Sequence, residues 1–356
     1  MTVPGARLVR LGGNVFREEI DAFYVCALPN IRYLTGFTGS AGHLLVERGR
    51  TTLFVDGRYD EQAHEQTSGV EVRVSPTDPF AALLAEVRNR GLLRIGVERN
   101  RLSLAAYQRL RDIRKKIHPF DGVVEILRAV KSAEEIDCLR KSALLNSEVF
   151  ESVVGRLRPS WSEMRLAAEL EYEMRRRGAE GASFPSIVAS GPHGARPHAA
   201  PRPVKLQRNS LVVVDHGAIL DGYASDMTRM IALGRPSPDQ LKLVAAVREA
   251  QQAAIDSVRA GAACSTVDRA ARKVLKKFSL DRYFVHSTGH GLGLEVHEAP
   301  RIAGAVSTRL KTGMVITIEP GVYLEGIGGV RIEDVVVVGP HGCESLTPTS
   351  RELRVL

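Results

Sequence analysis

The chain has 356 residues, of which 44% are hydrophobic and 25% are charged, and 49 Lys and Arg against 41 Asp and Glu give a net charge of +8. These proportions are typical of globular proteins and exclude a disordered, collagen-like or coiled-coil chain. At this length two domains are the default expectation. No apolar run is long enough to span a membrane and the N-terminus lacks a signal-peptide core, so the sequence predicts a cytoplasmic protein.

The cysteines and the basic residues argue against two further classes of site. The four cysteines lie far apart without a Cys-x-x-Cys pair, so we expect reduced thiols and neither a disulfide framework nor a thiolate metal site. The strongest basic run, residues 175–177, fits the solvated last turn of a helix. We therefore expect no nucleic-acid partner and no membrane partner.

The first 127 residues alternate short apolar runs with stretches of helical spacing. This mixture predicts a small α/β domain. The pattern breaks around residues 118–122, so we place a domain boundary near residue 130. The predicted strands are residues 23–25, 42–46, 52–55 and 70–74, and the predicted helices are residues 79–90 and 103–116.

The second part repeats one order of elements. Ser132 and Glu135 form a capping box that predicts a helix over about 133–157, and a second helix over 162–177 precedes strands between residues 183 and 233. Ser237 and Gln240 then open a further helix, another follows Thr266, and strands return over 283–338. This order predicts a duplicated α+β unit whose two halves form one sheet with its helices on one side.

A hairpin is predicted at Asp221-Gly222, between two strand-like runs. If these are the two turn residues, Asp215 faces Thr228 and Asp226 faces Gly217. Asp215 and Asp226 then lie on the same face of the hairpin, about 7 Å apart or less. Cations could bridge that separation. The alternative is that Asp215 caps a turn and Asp226 pairs with Arg229.

Histidines and two further acids follow. His286, His290 and His297 fall within twelve residues, with glycines close to His290, whereas the alternative is a polar loop with incidental histidines. Glu319 and Glu333 each lie in or at the end of an apolar strand, where a salt bridge from Arg331 to Glu319 is the structural alternative.

Four of these side chains are carboxylates and one is an imidazole. Such a mix suits divalent Mn, Co or Zn, among which the sequence does not choose. Four carboxylates roughly neutralise two divalent ions, and such a pair can share a hydroxide and polarise a carbonyl oxygen. The set comprises Asp215, Asp226, His290, Glu319 and Glu333.

At these residues the sequence resembles the pita-bread metallopeptidases, specifically the Xaa-Pro dipeptidases (prolidases) and Xaa-Pro aminopeptidases. The segment at 184–191 with His198 also resembles the family, and the N-terminal segments at 30–40 and 56–59 resemble its creatinase-like domain. The resemblance implies an α+β chain with a creatinase-like α/β domain at 1–127 and a pita-bread catalytic domain at 128–356. The catalytic segments that carry it are residues 215–229, Gly-His-Gly-Leu-Gly-Leu-Glu-Val-His-Glu at 289–298, Ile318-Glu-Pro-Gly321 and Val330-Arg-Ile-Glu-Asp334.

The resemblance also implies a dinuclear metal site, for which we expect manganese first, with cobalt or zinc as alternatives. Asp226 and Glu333 would bridge the metals, Asp215 would hold one, and His290 with Glu319 would complete the other. Glu319 would in addition shuttle the proton of the bridging hydroxide.

Further residues would serve the substrate. By the same resemblance, His198 and His297 would orient the substrate and stabilise the tetrahedral intermediate. His286 and Arg331 match positions near the proline subsite or supporting the metal ligands. Two departures from the family pattern, His216 and Met230-Ile231, remove no ligand.

The expected reaction is hydrolysis of the peptide bond before proline, in Xaa-Pro dipeptides or, alternatively, in longer peptides as by an Xaa-Pro aminopeptidase. A dipeptidase needs a cation for the free carboxylate, and Arg32, Arg58, Arg301 and Arg331 are candidates. A non-catalytic binding protein, a metal-free creatinase-like hydrolase and a methionine aminopeptidase are the remaining alternatives. The resemblance further implies a homodimer.

Overall fold

The computed structural model describes residues 3–113 and 115–356, and the chain divides into two compact units, Met1–Arg128 and Ala129–Leu356. Within the described ranges no helix combines the length and the hydropathy that a membrane crossing requires.

The first unit is a six-stranded mixed sheet with helices, as the sequence predicts. The strand order is β4-β3-β2-β1-β5-β6, in which β1–β2 and β2–β3 are antiparallel and the other pairs are parallel. Its core is built from the apolar faces of the central strands and of α4. The helices are α1 (Val3–Val15), α2 (Leu28–Thr35), α3 (Asp60–Gln66), α4 (Pro79–Asn89), α5 (Leu104–Asp112) and α6 (Val123–Ala129), and the strands are β1 (Ala22–Val25), β2 (His43–Glu47), β3 (Arg50–Asp56), β4 (Glu71–Ser75), β5 (Arg94–Glu98) and β6 (Lys116–Phe120).

One predicted helix of this unit is too long. The prediction runs over 103–116, whereas α5 ends at Asp112 and β6 begins at Lys116; Arg114 lies outside the described residues. Ile117 packs against the core, and β6 pairs with β5 in parallel, so the chain leaves the helix to complete the sheet. The pattern break expected at 118–122 therefore contains the end of a strand. Pro119 is tolerated there because β6 is an edge strand.

The second unit confirms the predicted order of two helices and strands, repeated once. Both capping boxes are present, at Ser132 with Glu135 and at Ser237 with Gln240. The helices are α7 (Ala133–Gly155), α8 (Glu163–Arg176), α9 (Pro238–Asp256) and α10 (Cys264–Lys277). The strands are β7 (Gly181–Ala182), β8 (Ile187–Ser190), β9 (Ser210–His216), β10 (Ala218–Leu220), β11 (Tyr223–Ala224), β12 (Met227–Leu233), β13 (Gly289–Gly291), β14 (Glu298–Ile302), β15 (Val315–Ile318), β16 (Gly321–Leu324), β17 (Gly328–Arg331), β18 (Asp334–Val338), β19 (Cys343–Ser345) and β20 (Arg354–Val355).

The prediction of one continuous sheet is wrong. The strands form separate sheets of four, five, three and two strands, with orders β20-β12-β9-β8, β14-β13-β15-β18-β19, β11-β10-β7 and β16-β17. The ladders stop at Pro320, which has no N–H to donate, and at Ile332-Glu333 between β17 and β18. The N–H of Glu333 donates instead to the carbonyl of Thr228 on β12, 3.2 Å away, and joins two of the sheets.

Candidate metal centre

The predicted hairpin carries the first two acids of the site. Asp215 pairs with Thr228 across β9 and β12, in the predicted register. The turn residues Asp221 and Gly222 both have positive φ, 52° and 76°, which is typical of the type I′ turn that Asp-Gly favours. This register turns Asp215 and Asp226 towards one cavity.

That cavity has a volume of about 730 Å³ and lies within the second unit. It collects the side chains that the sequence marks as ligands and the further histidines and arginines. The expected site residues on its lining are His198, Asp215, Asp226, His286, His290, His297, Glu319, Arg331 and Glu333, and Arg301 also lines it.

His290 is positioned by glycines on both sides. A Cβ atom at Gly289 would lie 1.9 Å from the carbonyl oxygen of Thr317, and one at Gly291 would lie 2.2 Å from that of Ala299, so only glycine allows this close approach. The Nδ1 atom of His290 lies 3.0 Å from the Gly291 carbonyl oxygen. This contact leaves Nε2 facing the cavity, the arrangement of a metal-ligating imidazole.

The donor atoms converge. Nε2 of His290 is 3.2 Å from Oε1 of Glu319 and 3.7 Å from Oδ2 of Asp226. One ligand atom each from Asp226, His290 and Glu333 lies within 4.8 Å of the others. Glu333 is oriented by Thr228, whose hydroxyl donates to Oε2 at 2.7 Å. These three residues could therefore share one cation.

The carboxylates burden the site with like charge. Burial raises the pKa of Asp226 and of Glu333 well above their usual values, and neighbouring carboxylates raise them further: Glu333 and Asp215 act on Asp226, and Glu319 and Asp215 act on Glu333. Among the residues that the structure describes, neither Oδ1 of Asp215 nor Oε1 of Glu333 has a hydrogen-bond partner. Buried, unpartnered carboxylate oxygens beside an imidazole fit divalent cations.

Glu319 behaves differently from its neighbours. Burial raises its pKa, but the hydrogen bond and the charge of His290, together with the charges of His286 and Arg331, outweigh burial and lower the pKa to about 2. The hydroxyl of Thr317 also donates to Oε1 at 3.1 Å. Glu319 is thus held as a carboxylate at neutral pH.

Arg331 lies beneath the cavity with each of its donor nitrogens engaged. Its Nη2 donates to Oδ2 of Asp215, its Nε donates to Thr228 at 3.0 Å, and its Nη1 donates to Tyr323 Oη at 2.6 Å and to the Pro197 carbonyl oxygen at 3.2 Å. The salt bridge to Glu319 that the sequence offers as an alternative is replaced by the one to Asp215.

The second structural alternative also fails. Arg229 donates to Asp334 at 2.6 Å and to the carbonyl oxygens of Thr228 and Thr349, so it does not serve Asp226. Asp215 lies near the end of a strand and caps no turn. The structure thus leaves both acids of the hairpin directed to the cavity.

The three other histidines surround the acids. His286 lies 3.0 Å from the Tyr323 hydroxyl through Nε2, the ring of His297 lies 4.4 Å from that of His290, and His198 is exposed on the loop after β8. Burial lowers the pKa of both His286 and His297. Neutral imidazoles can accept or donate hydrogen bonds beside a substrate.

Some contributors were not found from the sequence. Tyr323 joins Arg331 to His286, and Thr228 joins Arg331 to Glu333. The hairpin register placed Thr228 opposite Asp215 and could have singled it out, whereas no local pattern marks Tyr323. His216 stacks on Phe150 with its centroid 5.9 Å away, and Met230 belongs to the core. Both departures from the family pattern therefore point away from the cavity.

Comparison with known proteins agrees with this geometry. The sequence matches metallopeptidase family M24 over residues 137–340 and the creatinase/prolidase N-terminal domain over residues 7–130. It is 34% identical to an Xaa-Pro dipeptidase of Pyrococcus furiosus over 350 residues, 98% of this chain and 99% of that protein.

Solved structures give the same result. An Xaa-Pro dipeptidase from Bacillus anthracis is 36% identical, with a TM-score of 0.96 and coverage of 99% of this chain and 100% of that chain. An X-Pro aminopeptidase from Thermotoga maritima is 35% identical, with a TM-score of 0.89 and coverage of 95% and 98%. The two chains carry the two activities between which the sequence left a choice.

Proposed function

The chain belongs to metallopeptidase family M24, and on that premise we propose that it is a metal-dependent hydrolase of the peptide bond before proline, acting on Xaa-Pro dipeptides. The observation that carries this proposal is the convergence of Asp226, His290 and Glu333 in a cavity that Arg301 also lines. The three groups supply a cation site, and the arginine supplies a partner for a substrate carboxylate.

Two divalent ions, with manganese as the first candidate and cobalt or zinc as alternatives, are the proposed cofactor. Asp226 and Glu333 would bridge them, Asp215 would hold one, and His290 with Glu319 would complete the other. When bound, such ions polarise a peptide carbonyl and lower the pKa of a water molecule. The unpartnered oxygens of Asp215 and Glu333 support this assignment.

The protein's own side chains would handle the proton and the developing charge. Glu319, ionised and facing His290, can accept the proton of the attacking water and pass it to the leaving proline nitrogen. His297 and His198 can donate hydrogen bonds to the oxyanion and to the substrate backbone. His286, fixed by Tyr323, would border the pyrrolidine ring.

The choice between dipeptidase and aminopeptidase depends on the substrate carboxylate. Arg331 is committed to Asp215, Thr228 and Tyr323, so it is a poor anchor for a substrate. Arg301 is exposed and lines the same cavity. We therefore assign the carboxylate to Arg301, which favours the dipeptidase; an Xaa-Pro aminopeptidase is the second candidate.

We also propose that residues 1–127 and 128–356 are separate domains and that the protein is a homodimer. The division into units at residue 128 supports the first statement, and the resemblance to the family supports the second. Sedimentation equilibrium of the full chain tests the dimer.

The reaction is tested on enzyme that has been stripped with a chelator and reloaded with manganese. We expect cleavage of Ala-Pro, little cleavage of Ala-Pro-Ala and none of Ala-Ala, because the pocket requires both the proline ring and its free carboxylate. Strong cleavage of Ala-Pro-Ala would favour the aminopeptidase. Cleavage of none of the three would leave a binding protein as the remaining explanation.

Replacement of Arg301 by Gln tests the carboxylate anchor. We expect kcat/KM for Ala-Pro to fall about 100-fold, since loss of a buried charge-assisted pair costs about 2–5 kcal/mol. Hydrolysis of the Ala-Pro amide, which has no carboxylate, should change little. Arg309→Gln is the matched control, because Arg309 is exposed and donates to the Gly261 carbonyl oxygen. An equal loss on both substrates would refute the assignment.

A further inference from the structure

A buried carboxylate outside the metal centre gathers an unusual number of hydrogen bonds. Glu163 is the first residue of α8, and its side chain is fully buried. It accepts from the backbone and the hydroxyl of Ser190 at 2.9 and 3.0 Å and contacts Nδ1 of His193 at 3.0 Å. It also accepts from the backbone N–H, Nε and Nη2 of Arg202 at 3.1, 3.0 and 2.9 Å.

These partners are the two ends of one loop. Ser190 ends β8, Arg202 lies twelve residues later, and His198 is between them. The single carboxylate therefore closes the loop at its base, as in a compact Ω-type loop. The N–H of Met164, the next residue of α8, adds a bond of 3.0 Å to the carbonyl oxygen of Arg202.

The middle of the loop is held from the other side by the metal centre's own strand. A Cβ atom at Gly329 of β17 would lie 2.0 Å from the carbonyl oxygen of Gly194, so the loop rests directly on that backbone. Arg331, two residues further along, donates to the carbonyl oxygen of Pro197, which directly precedes His198. With its base closed by Glu163, the loop has few ways to displace the imidazole.

The charge of Glu163 suits this role. Burial alone raises the pKa of the carboxyl group, but the hydrogen bonds from Arg202 and Ser190 outweigh burial and hold the pKa below its usual value. An ionised carboxylate only accepts hydrogen bonds, which matches the donors that surround it. A neutral amide would present two N–H groups to the same donors.

We propose that Glu163 is a positioning residue that sets the place of His198 in the cavity by closing the loop of residues 190–202. The proposal rests on the proposed function, because it assigns His198 a role in turnover. Glu163 itself touches neither substrate nor reacting atoms.

The test compares Glu163→Gln with Glu173→Gln in the manganese-loaded full chain. Glu173 lies on the same helix, is equally buried, and is bonded to Arg176 and Arg177 away from the loop. We expect faster amide hydrogen exchange over residues 191–201 in Glu163→Gln only. We also expect kcat for Ala-Pro to fall about 10- to 100-fold in that variant, since small misplacements of catalytic groups cost rates of this size.

A double-mutant cycle separates positioning from general damage. In a His198→Ala background, Glu163→Gln should lower kcat less than about twofold, because the residue through which it acts is gone. A loss of the same size in both backgrounds, or unchanged exchange over 191–201, would overturn the proposal. If Glu163→Gln fails to fold, Arg202→Gln takes its place, because this partner is half-exposed and should show the same exchange and coupling.

Failure of the proposed function would look different. Wild-type enzyme that cleaves no Xaa-Pro peptide refutes that function, whereas loop closure is still decided by the exchange measurement. Normal wild-type turnover with full additivity of Glu163→Gln and His198→Ala refutes only the positioning role.

Discussion

Replacing Asp226 with Asn, or Glu333 with Gln, is expected to lower kcat/KM for Ala-Pro by about 1,000-fold. Each change removes a charged donor from the group whose ligand atoms lie within 4.8 Å of one another. Loss of cation binding removes several kcal/mol of transition-state stabilisation, and 1.36 kcal/mol corresponds to a tenfold change in rate. Steady-state kinetics with measured metal content gives the result.

Stability supplies a readout that does not depend on turnover. Burial and neighbouring carboxylates raise the pKa of Asp226 and Glu333, so the metal-free protein carries like charges in this cavity at a cost. Chelator-stripped variants should therefore melt no lower than the stripped wild type. Added manganese should raise the melting temperature of the wild type by mass action, and raise that of the variants much less.

Two control variants carry the same chemical changes outside the cavity. Asp221→Asn changes an acid of the same hairpin at a turn position whose φ of 52° asparagine also adopts. Glu344→Gln changes a glutamate that forms a surface ion pair with Arg140. Both should keep wild-type activity and metal response. Activity that survives in both Asp226→Asn and Glu333→Gln would refute the assignment of the site.

The part of the site that could be predicted depends on short-range patterns. Asp221-Gly222 specifies a type I′ turn, and the turn sets the pairing of Asp215 with Thr228, because a hairpin has one register for a given turn. The two capping boxes likewise identify the helix starts from four residues each. The ligands themselves stood out because carboxylates rarely interrupt apolar strands without a partner.

Long-range partners could not be predicted in the same way. Strict alternation placed Arg331 with Glu333 and left Glu319 as its nearest partner, but the chain leaves strand geometry at Ile332-Glu333. Arg331 instead reaches Asp215, 116 residues away in sequence. Glu163 reads locally as an acid in the first turn of a helix, where it suits the dipole, and nothing local indicates that it binds the loop around His198.

Replacing Arg331 with Gln is expected to destabilise the protein and to impair turnover together. The guanidinium is 4% exposed and bonds Asp215, Thr228 and Tyr323. Removing one partner of a buried ion pair leaves the other charge uncompensated and costs about 3–5 kcal/mol of unfolding free energy. Because Thr228 also orients Glu333, we expect kcat/KM to fall about 100-fold, a size typical of lost positioning in an active site.

Arg331→Lys discriminates between charge and geometry. A lysine keeps the cation beside Asp215 but cannot donate in the plane of a fork to three partners at once. It should recover most of the stability and little of the activity, as measured by urea unfolding and by hydrolysis of Ala-Pro. Arg140→Gln, at the surface pair with Glu344, should cost no more than about 1 kcal/mol. If Arg331→Lys restores activity fully, the charge of Arg331 alone supports the site, and the hydrogen bonds to Thr228 and Tyr323 do not position Glu333 or His286.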